Sequence, residues 1–411
     1  MTRFTFIHAA DLHLGSPLAG LSARNAEIAQ RFASAGRRAF EDLVGHAIEA
    51  RVAFLIVAGD VYDGDWADHS IGLFFARQVA RLDRAGIPVV LVRGNHDAES
   101  VITKAITLPD AVRTFSTKKP ETLRLDHLKV ALHGQSFPNR VVDENLSLAY
   151  PAAVPGWFNI GVLHTSCTGH AQHATYAPCS VADLRARGYD YWALGHIHEY
   201  AELSQDPWIL FPGNLQGRSI RECGPKGAVV VEVGDGQVTA VRRLIVDHAR
   251  FHSLTVAVDA AESESEAVAL VEAALRPLAA LAEGRLLAVR VHLTGVTAAH
   301  DRLAADRENL TAEIQAAADR VHEDIWLEKL RIDTARPSSG PRENVVDAID
   351  PATLLAEIDH DPEFRARATA ALAEIAAKMP AAEDGDLAAD LDTLCAEAEA
   401  MILGRLTKRA C

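Results

Sequence analysis

Val89-Val90-Leu91-Val92-Arg93-Gly94-Asn95-His96-Asp97 runs four aliphatic residues through one arginine into a glycine and then three side chains that offer lone pairs or protons. A short apolar run punctuated by glycine reads as a buried strand of a parallel sheet. The polar residues behind it then fall at the carboxyl edge of that sheet, where α/β proteins place their sites. The amide oxygen of Asn95 is a hard neutral ligand, the imidazole of His96 can act as an acid, and Asp97 is placed to fix that imidazole's tautomer and raise its pKa.

The same pattern recurs on both sides of this stretch. Phe4–Ala10 leads into Asp11-Leu12-His13, Leu55-Ile56-Val57-Ala58 into Gly59-Asp60, Ile160-Gly161-Val162-Leu163 into His164, and Tyr191-Trp192-Ala193-Leu194 into Gly195-His196-Ile197-His198. On an extended segment, residues two apart share a side. Asp11 with His13, and His196 with His198, are therefore expected to face one way and act as pairs of metal ligands. Asp60 has no Lys or Arg in its own segment, so a carboxylate there needs solvent or a cation, and a position bridging two ions is expected. The missing side chain at Gly59 lets backbone approach the site.

Outward from these blocks, residues 4–92 alternate strand and helix, with helical pattern over Ala19–Ala50 and Asp68–Ala85. This order implies a covered, parallel sheet. A β-rich portion follows, with strands expected at Leu128–His133, Asn159–Leu163, Tyr191–Leu194, Trp208–Phe211 and Ala228–Val233. The last turns through Gly234-Asp235-Gly236 into Val238–Ile245 as a hairpin. The expected whole is a two-sheet α/β sandwich flanked by helices over residues 1–250. Residues 251–335 read as a small α/β capping domain, with a helix at Thr297–Ala318. Pro337-Ser338-Ser339-Gly340-Pro341 is a linker signal, and residues 346–411 read as a helical tail. There Leu387, Leu391, Leu394, Ala398 and Ile402 form an apolar stripe, to be covered by a neighbouring helix or by a partner protein.

Across 411 residues the formal net charge is −15, yet residues 251–411 hold 30 acidic against 16 basic side chains, leaving 26 and 25 for residues 1–250. The half with the ligand blocks is thus nearly neutral, which leaves nucleic acid open as a substrate but argues against tight DNA binding by the chain alone. The start lacks a secretory pattern, no apolar run reaches the roughly 18 residues of a membrane span, and Cys167, Cys179, Cys223, Cys395 and Cys411 show no Cys-x-x-Cys spacing. A cytoplasmic protein without membrane association, disulfide framework or zinc ribbon is expected.

The five blocks resemble those of the calcineurin-like metallophosphoesterase superfamily. Phe6-Ile7-His8-Ala9-Ala10-Asp11-Leu12-His13-Leu14-Gly15, with Ala193–His198 and Phe211-Pro212-Gly213-Asn214-Leu215-Gln216-Gly217-Arg218, resembles its SbcD-like DNA-repair exonuclease branch. Leu132-His133-Gly134-Gln135-Ser136-Phe137 and Gly224-Pro225-Lys226-Gly227 point to the bacterial YhaO-like subgroup. The resemblance implies that Asp11, His13, Asp60 and His198 hold one metal and Asp60, Asn95, His164 and His196 the other. His96 would assist the leaving oxygen, with Asp97 orienting it. Archaeal and eukaryotic nucleases of this type often carry histidine where this chain has Asp63, which is expected to bond a ligand histidine. Mixed Asp, Asn and His ligation suits manganese first, with iron, zinc or magnesium as alternatives. Two such ions would activate water for in-line attack on phosphorus.

Remaining residues carry weaker expectations. His8 reads as structural; His170 and His173 read as surface residues. Arg93, Arg140, Arg218, Arg221 and Lys226 are basic residues for phosphate, Arg218 foremost because it follows a glycine-rich loop, and Cys223 has no assigned role. The leading expectation is a metal-dependent DNA exonuclease or endonuclease partnered by an SbcC-like coiled-coil ATPase, with a homodimer open. One alternative keeps the metals but takes a small phosphodiester such as a cyclic nucleotide. Another is a regulatory or scaffold subunit, which predicts a missing ligand, and none is missing.

Overall fold

The computed structural model describes residues 3–16, 26–63, 69–99, 108–167, 176–337, 351–378 and 391–408. They fall into two compact units, Met1–His252 with Arg285–Leu287, and Ser253–Gly284 with Ala288–Cys411.

In the first unit, β1 (Arg3–Ala9), β2 (Phe54–Ala58), β3 (Val89–Val92) and β4 (Val112–Thr114) lie side by side and parallel. The hairpin β11 (Gly227–Gly234) and β12 (Gln237–Ile245) extends that sheet antiparallel from β1. The turn needs the left-handed backbone that Asp235 and Gly236 both adopt, at φ 54° and 77°. A second sheet follows the order β5 (Glu121–Leu125), β6 (Val130–Gly134), β7 (Phe158–His164), β8 (Tyr191–Gly195), β10 (Trp208–Phe211), β9 (Ala201–Gln205).

Strand residues alternate between two apolar layers, which is why the runs of β2 and β3 are unbroken by polar side chains. Phe6, Phe54, Ile56, Val90 and Val92 face the second sheet's Val130, Leu132, Ile160, Val162 and Tyr191, and the rings of Phe6 and Phe54 stack at 4.9 Å. Ile7, Leu55, Val57, Val89 and Leu91 face the other way, onto Phe40, Leu43 and Val44 of α1 (Ala26–Glu49) and Phe75, Val79 and Leu82 of α2 (His69–Arg84). The outer side of the second sheet packs Leu163, Trp192, Leu194 and Phe211 against Tyr150 and Leu184. Two mixed sheets face to face with helices outside is the sandwich expected from sequence. The short strands β4, β5 and β9 were not expected.

The second unit carries a three-stranded sheet, β13 (Ala249–Ala257), β14 (Leu286–Val296) and β15 (Ile325–Ala335). Leu286 N donates to His248 O at one end and Val258 N to Thr294 O at the other, so β13 and β14 run parallel. The helix expected at Thr297–Ala318 is two helices, His300–Ala305 and Arg307–Val321. The chain breaks at Asp306, whose side chain accepts from Asn309 N and caps the second helix.

The tail helix Leu391–Lys408 packs on His300–Ala305, and Arg336 pairs with both Asp301 and Glu399. The described tail and most of the cap fall within the second compact unit. Met401 and Ile402 remain exposed on that helix, while Leu387 lies outside the described residues. No described helix is long and apolar enough to cross a membrane.

Candidate metal centre

Five strand ends of the first unit converge, those of β1, β2, β3, β7 and β8. Past β1, the backbone N–H groups of Asp11 and His13 donate to Gly59 O and Asp60 O, both at 3.0 Å, so the loop after β1 runs beside the loop after β2. Asp11, His13, Asp60 and His196 all adopt positive φ, at 51°, 41°, 52° and 102°. Non-glycine residues rarely do so, and such conformations gather at functional sites. Asp11 and His13 therefore meet through left-handed turns beyond the strand end, and His196 leaves β8 through another. This corrects the expectation that extended backbone aligns Asp11 with His13 and His196 with His198.

Three glycines clear the space. A Cβ on Gly94 would stand 2.2 Å from Asp60 Oδ1, one on Gly59 2.3 Å from His164 Nδ1, and one on Gly195 1.8 Å from Ala58 O. Each leads a ligand block, so the glycines of the motifs act through close approach.

In this space Asp60 is central. Its Oδ1 accepts from His96 N at 3.0 Å, and its Oδ2 lies 3.4 Å from His164 Nε2 and 3.9 Å from His13 Nε2. Asn95 Oδ1 is 3.0 Å from His164 Nε2. Asp11 accepts the backbone N–H of His196 on both oxygens, and the His196 ring lies 5.2 Å from that of His164 and 5.3 Å from that of Tyr176, centre to centre. Among the described residues, three ligand groups are close enough to hold an ion: Asp11 with His13 and His198, Asp11 with Asp60 and His164, and His13 with Asp60 and His96.

The donor set fits cations. His164 Nδ1–H donates to Ala58 O at 3.0 Å, so Nε2 is the nitrogen turned to the oxygens of Asp60 and Asn95, donating a proton there or, with a cation between them, a lone pair. The Nε2 atoms of His13 and His198 face each other at 3.2 Å, a contact that needs a proton or a cation between them. Burial and the neighbouring Asp60 charge push Asp11 up to about 6, against the pull of His198 and His164. Burial would raise Asp60 as well, but the charge and hydrogen bond of His164, with His13 and His96, hold it well below the carboxylate range. His164 rises to about 9 because Asp60 and Asp11 outweigh its burial. Burial and Arg218 lower His13 to about 3. Two buried carboxylates split in this way form a site built around positive charge.

One expectation is overturned in detail. Asp97 does not orient His96: its carboxylate accepts the backbone N–H groups of Val61, Tyr62 and Gly94 at 3.0–3.2 Å and ties the loops after β2 and β3 together. The carboxylate beside His96 is Asp63, with Oδ1 3.2 Å from His96 Nδ1 and 3.6 Å from His13 Nδ1. Adjacency in sequence favoured Asp97, but residues 95–99 form a helical turn that directs neighbouring side chains apart.

Residues 4–200 match the calcineurin-like phosphoesterase model, and residues 251–335 match the model of the metallophosphoesterase YhaO middle domain. The chain belongs to the calcineurin-like metallophosphoesterase superfamily. It is 35% identical over 243 residues to the uncharacterized metallophosphoesterase YhaO of Bacillus subtilis, an alignment covering 58% of this chain and 60% of that one. The DNA double-strand break repair protein Mre11 of Sulfurisphaera tokodaii is 23% identical over 273 residues, covering 62% of this chain and 66% of its own. That of Methanopyrus kandleri is 24% identical over 214 residues, covering 46% and 44%. The aligned region thus spans about two thirds or less of each relative's length.

The metallophosphoesterase unit also holds a residue that sequence reasoning missed. Glu222 is buried, with Oε1 2.8 Å from His198 Nδ1, and accepts from Arg218 N and Asn214 Nδ2 at 2.7 and 2.8 Å. Its signal was an acid four residues after Arg218, inside a stretch read only for its basic residues. Arg218, expected at phosphate, turns its guanidinium to Glu222 at 3.0 Å and Asp63 at 3.6 Å. Lys226 donates to His198 O at 2.8 Å and is buried. His8, read as structural, bonds Tyr191 Oη and Leu194 O in the core. His170 and His173 lie outside the described residues.

Proposed function

We propose that this metallophosphoesterase is a nuclease that hydrolyses phosphodiester bonds of DNA with two divalent ions, manganese foremost. Asp11, His13, Asp60 and His198 would hold one ion, and Asp60, Asn95, His164 and His196 the other. When bound, such a pair activates water and neutralises charge developing on the phosphate. The observation that carries the reading is the placement of Asp60 Oδ2 between His13 Nε2 and His164 Nε2, one imidazole from each ligand group.

The chain's own residues divide the remaining work. His96 is the most open of the ion-paired site imidazoles, with 30% of its side chain exposed against 16% for His198 and 1% or less for His13 and His164. It is therefore the proton donor to the departing oxygen, held at Nδ1 by Asp63. Asp97 sets the loop from which His96 projects.

DNA as the substrate rests on the Mre11 relatives and on the near-neutral charge of residues 1–250. An SbcC-like coiled-coil ATPase as partner rests on the same relatives and on the exposed Met401 and Ile402 of the tail helix. Manganese-stimulated cleavage of linear DNA, lost in His96→Ala, is the test. Wild-type protein that hydrolyses a small chromogenic phosphodiester but leaves every DNA end intact would overturn the nuclease reading and favour a small-diester enzyme.

A further inference from the structure

We propose that Glu222 is a positioning residue that fixes the tautomer of His198, with Arg218 as the brace of that carboxylate. The inference rests on the two-metal part of the proposed function and not on DNA as the substrate. His198 Nδ1 lies 2.8 Å from Glu222 Oε1. A carboxylate oxygen only accepts, so at that distance the ring nitrogen must carry the proton. Arg218 Nη2 is also 3.2 Å from His198 Nδ1, but a lone pair on Nδ1 would then face the Glu222 oxygen, two acceptors in contact. Both donors are satisfied when both point at Glu222, since Arg218 Nη2 stands 3.0 Å from the same oxygen.

With Nδ1 protonated, Nε2 keeps its lone pair, and Nε2 is the atom 3.2 Å from His13 Nε2, the residue with which His198 and Asp11 form a ligand group. Carboxylate partners of ligand histidines set ring orientation and raise ligand basicity in this way. Glu222 is held for the task from the far side. Its Oε2 accepts from the backbone of Arg218 and from Asn214 Nδ2, so the carboxylate cannot swing away from the ring without losing both. Arg218 extends the brace to Asp63, which stands beside His96. One arginine thus ties the carboxylate behind a metal ligand to the carboxylate behind the proton donor.

The donors around Glu222 also define the informative substitution. Both of its oxygens accept, whereas a glutamine offers one accepting oxygen and an NH2 that must face one of the donors now satisfied. Glu222→Gln therefore breaks the match at nearly constant volume.

The first measurement uses the metal-free full chain with 15N-labelled histidine and long-range proton–nitrogen NMR above neutral pH, the His198 signal being assigned by its loss in His198→Asn. Nδ1 protonated and Nε2 bare is expected; a proton on Nε2 in the wild type overturns the proposal without any variant having to fold. The second is calorimetric titration with Mn²⁺ alone. In Glu222→Gln, checked by an unchanged melting profile without metal, one of two binding events is expected to weaken about 10–100-fold while the other stays. Two wild-type events in the variant overturn the proposal. Wild-type protein that binds no Mn²⁺ sinks the two-metal reading instead, and the tautomer still decides the role of Glu222.

Discussion

Asp63 Oδ1 stands 3.2 Å from His96 Nδ1, so the carboxylate that holds this imidazole comes from the loop after β2, thirty-three positions upstream, and not from the next residue along. A ring held at Nδ1 presents Nε2 in one orientation, which is what a proton donor to a leaving oxygen requires. Asp63→Ala is expected to lose a large part of the about 10²–10⁴-fold that a positioned acid supplies. Because the two residues act as a unit, the double variant with His96→Ala should be no slower than His96→Ala alone. Turnover of a chromogenic phosphodiester by the four proteins completes the cycle, and additive losses would separate the two residues.

Asp97 predicts the opposite kind of defect. It is buried and accepts three backbone N–H groups, from Val61, Tyr62 and Gly94. Asp97→Ala leaves those donors without their acceptor, at about 1–3 kcal/mol each. The variant should therefore be destabilised by about 3 kcal/mol or more in denaturant unfolding of the metal-free chain, whereas Asp63→Ala, whose carboxylate is partly exposed, should unfold close to the wild type.

Those two aspartates also mark where sequence reading ends. Strands β1, β2, β3, β7 and β8 were legible because each ends in a segment buried on both faces and so writes a largely apolar run, and the site residues were legible because each follows or ends such a run. The half-polar edge strands Glu121–Leu125 and Ala201–Gln205 write no such signal. Neither do partnerships between loops. Whether Asp97 or Asp63 meets His96, and whether Arg218 meets a phosphate or Glu222, depends on turns at Asp11, Asp60 and His196 whose positive φ has no sequence mark beyond the glycines that precede Asp60 and His196.

His8 gives the metal-free protein a pH dependence of known sign. Burial lowers it from 6.5 to about 3, against the hydrogen bond to Leu194 O. Between those values the unfolded chain binds a proton that the folded chain does not, so this contribution to stability is whole above pH 6.5 and falls as the pH drops toward 3. The slope is up to about 1.4 kcal/mol per pH unit. His8→Gln removes the titrating ring, so the difference between wild-type and variant unfolding free energies should narrow steadily from pH 7 to pH 4. A constant difference over that range would show that His8 is not buried neutral.

Asp60 predicts what metal does to stability. It is buried beside Asp11, and its Oδ2 faces imidazoles of both ligand groups, so an ion on either side binds only the folded chain. A ligand at one hundred times its Kd stabilises the folded state by about 2.7 kcal/mol, and two ions at separate sites add their effects. Melting temperature should therefore rise with Mn²⁺ in the wild type and fall back when the ion is chelated. Asp60→Asn keeps the shape and one accepting oxygen but removes the charge that both groups share, so the shift should shrink at both sites together. His164→Ala, by contrast, should remove one step and leave the other. Equal loss of both steps in His164→Ala would mean that the two groups do not act as separate sites and that Asp60 does not bridge them.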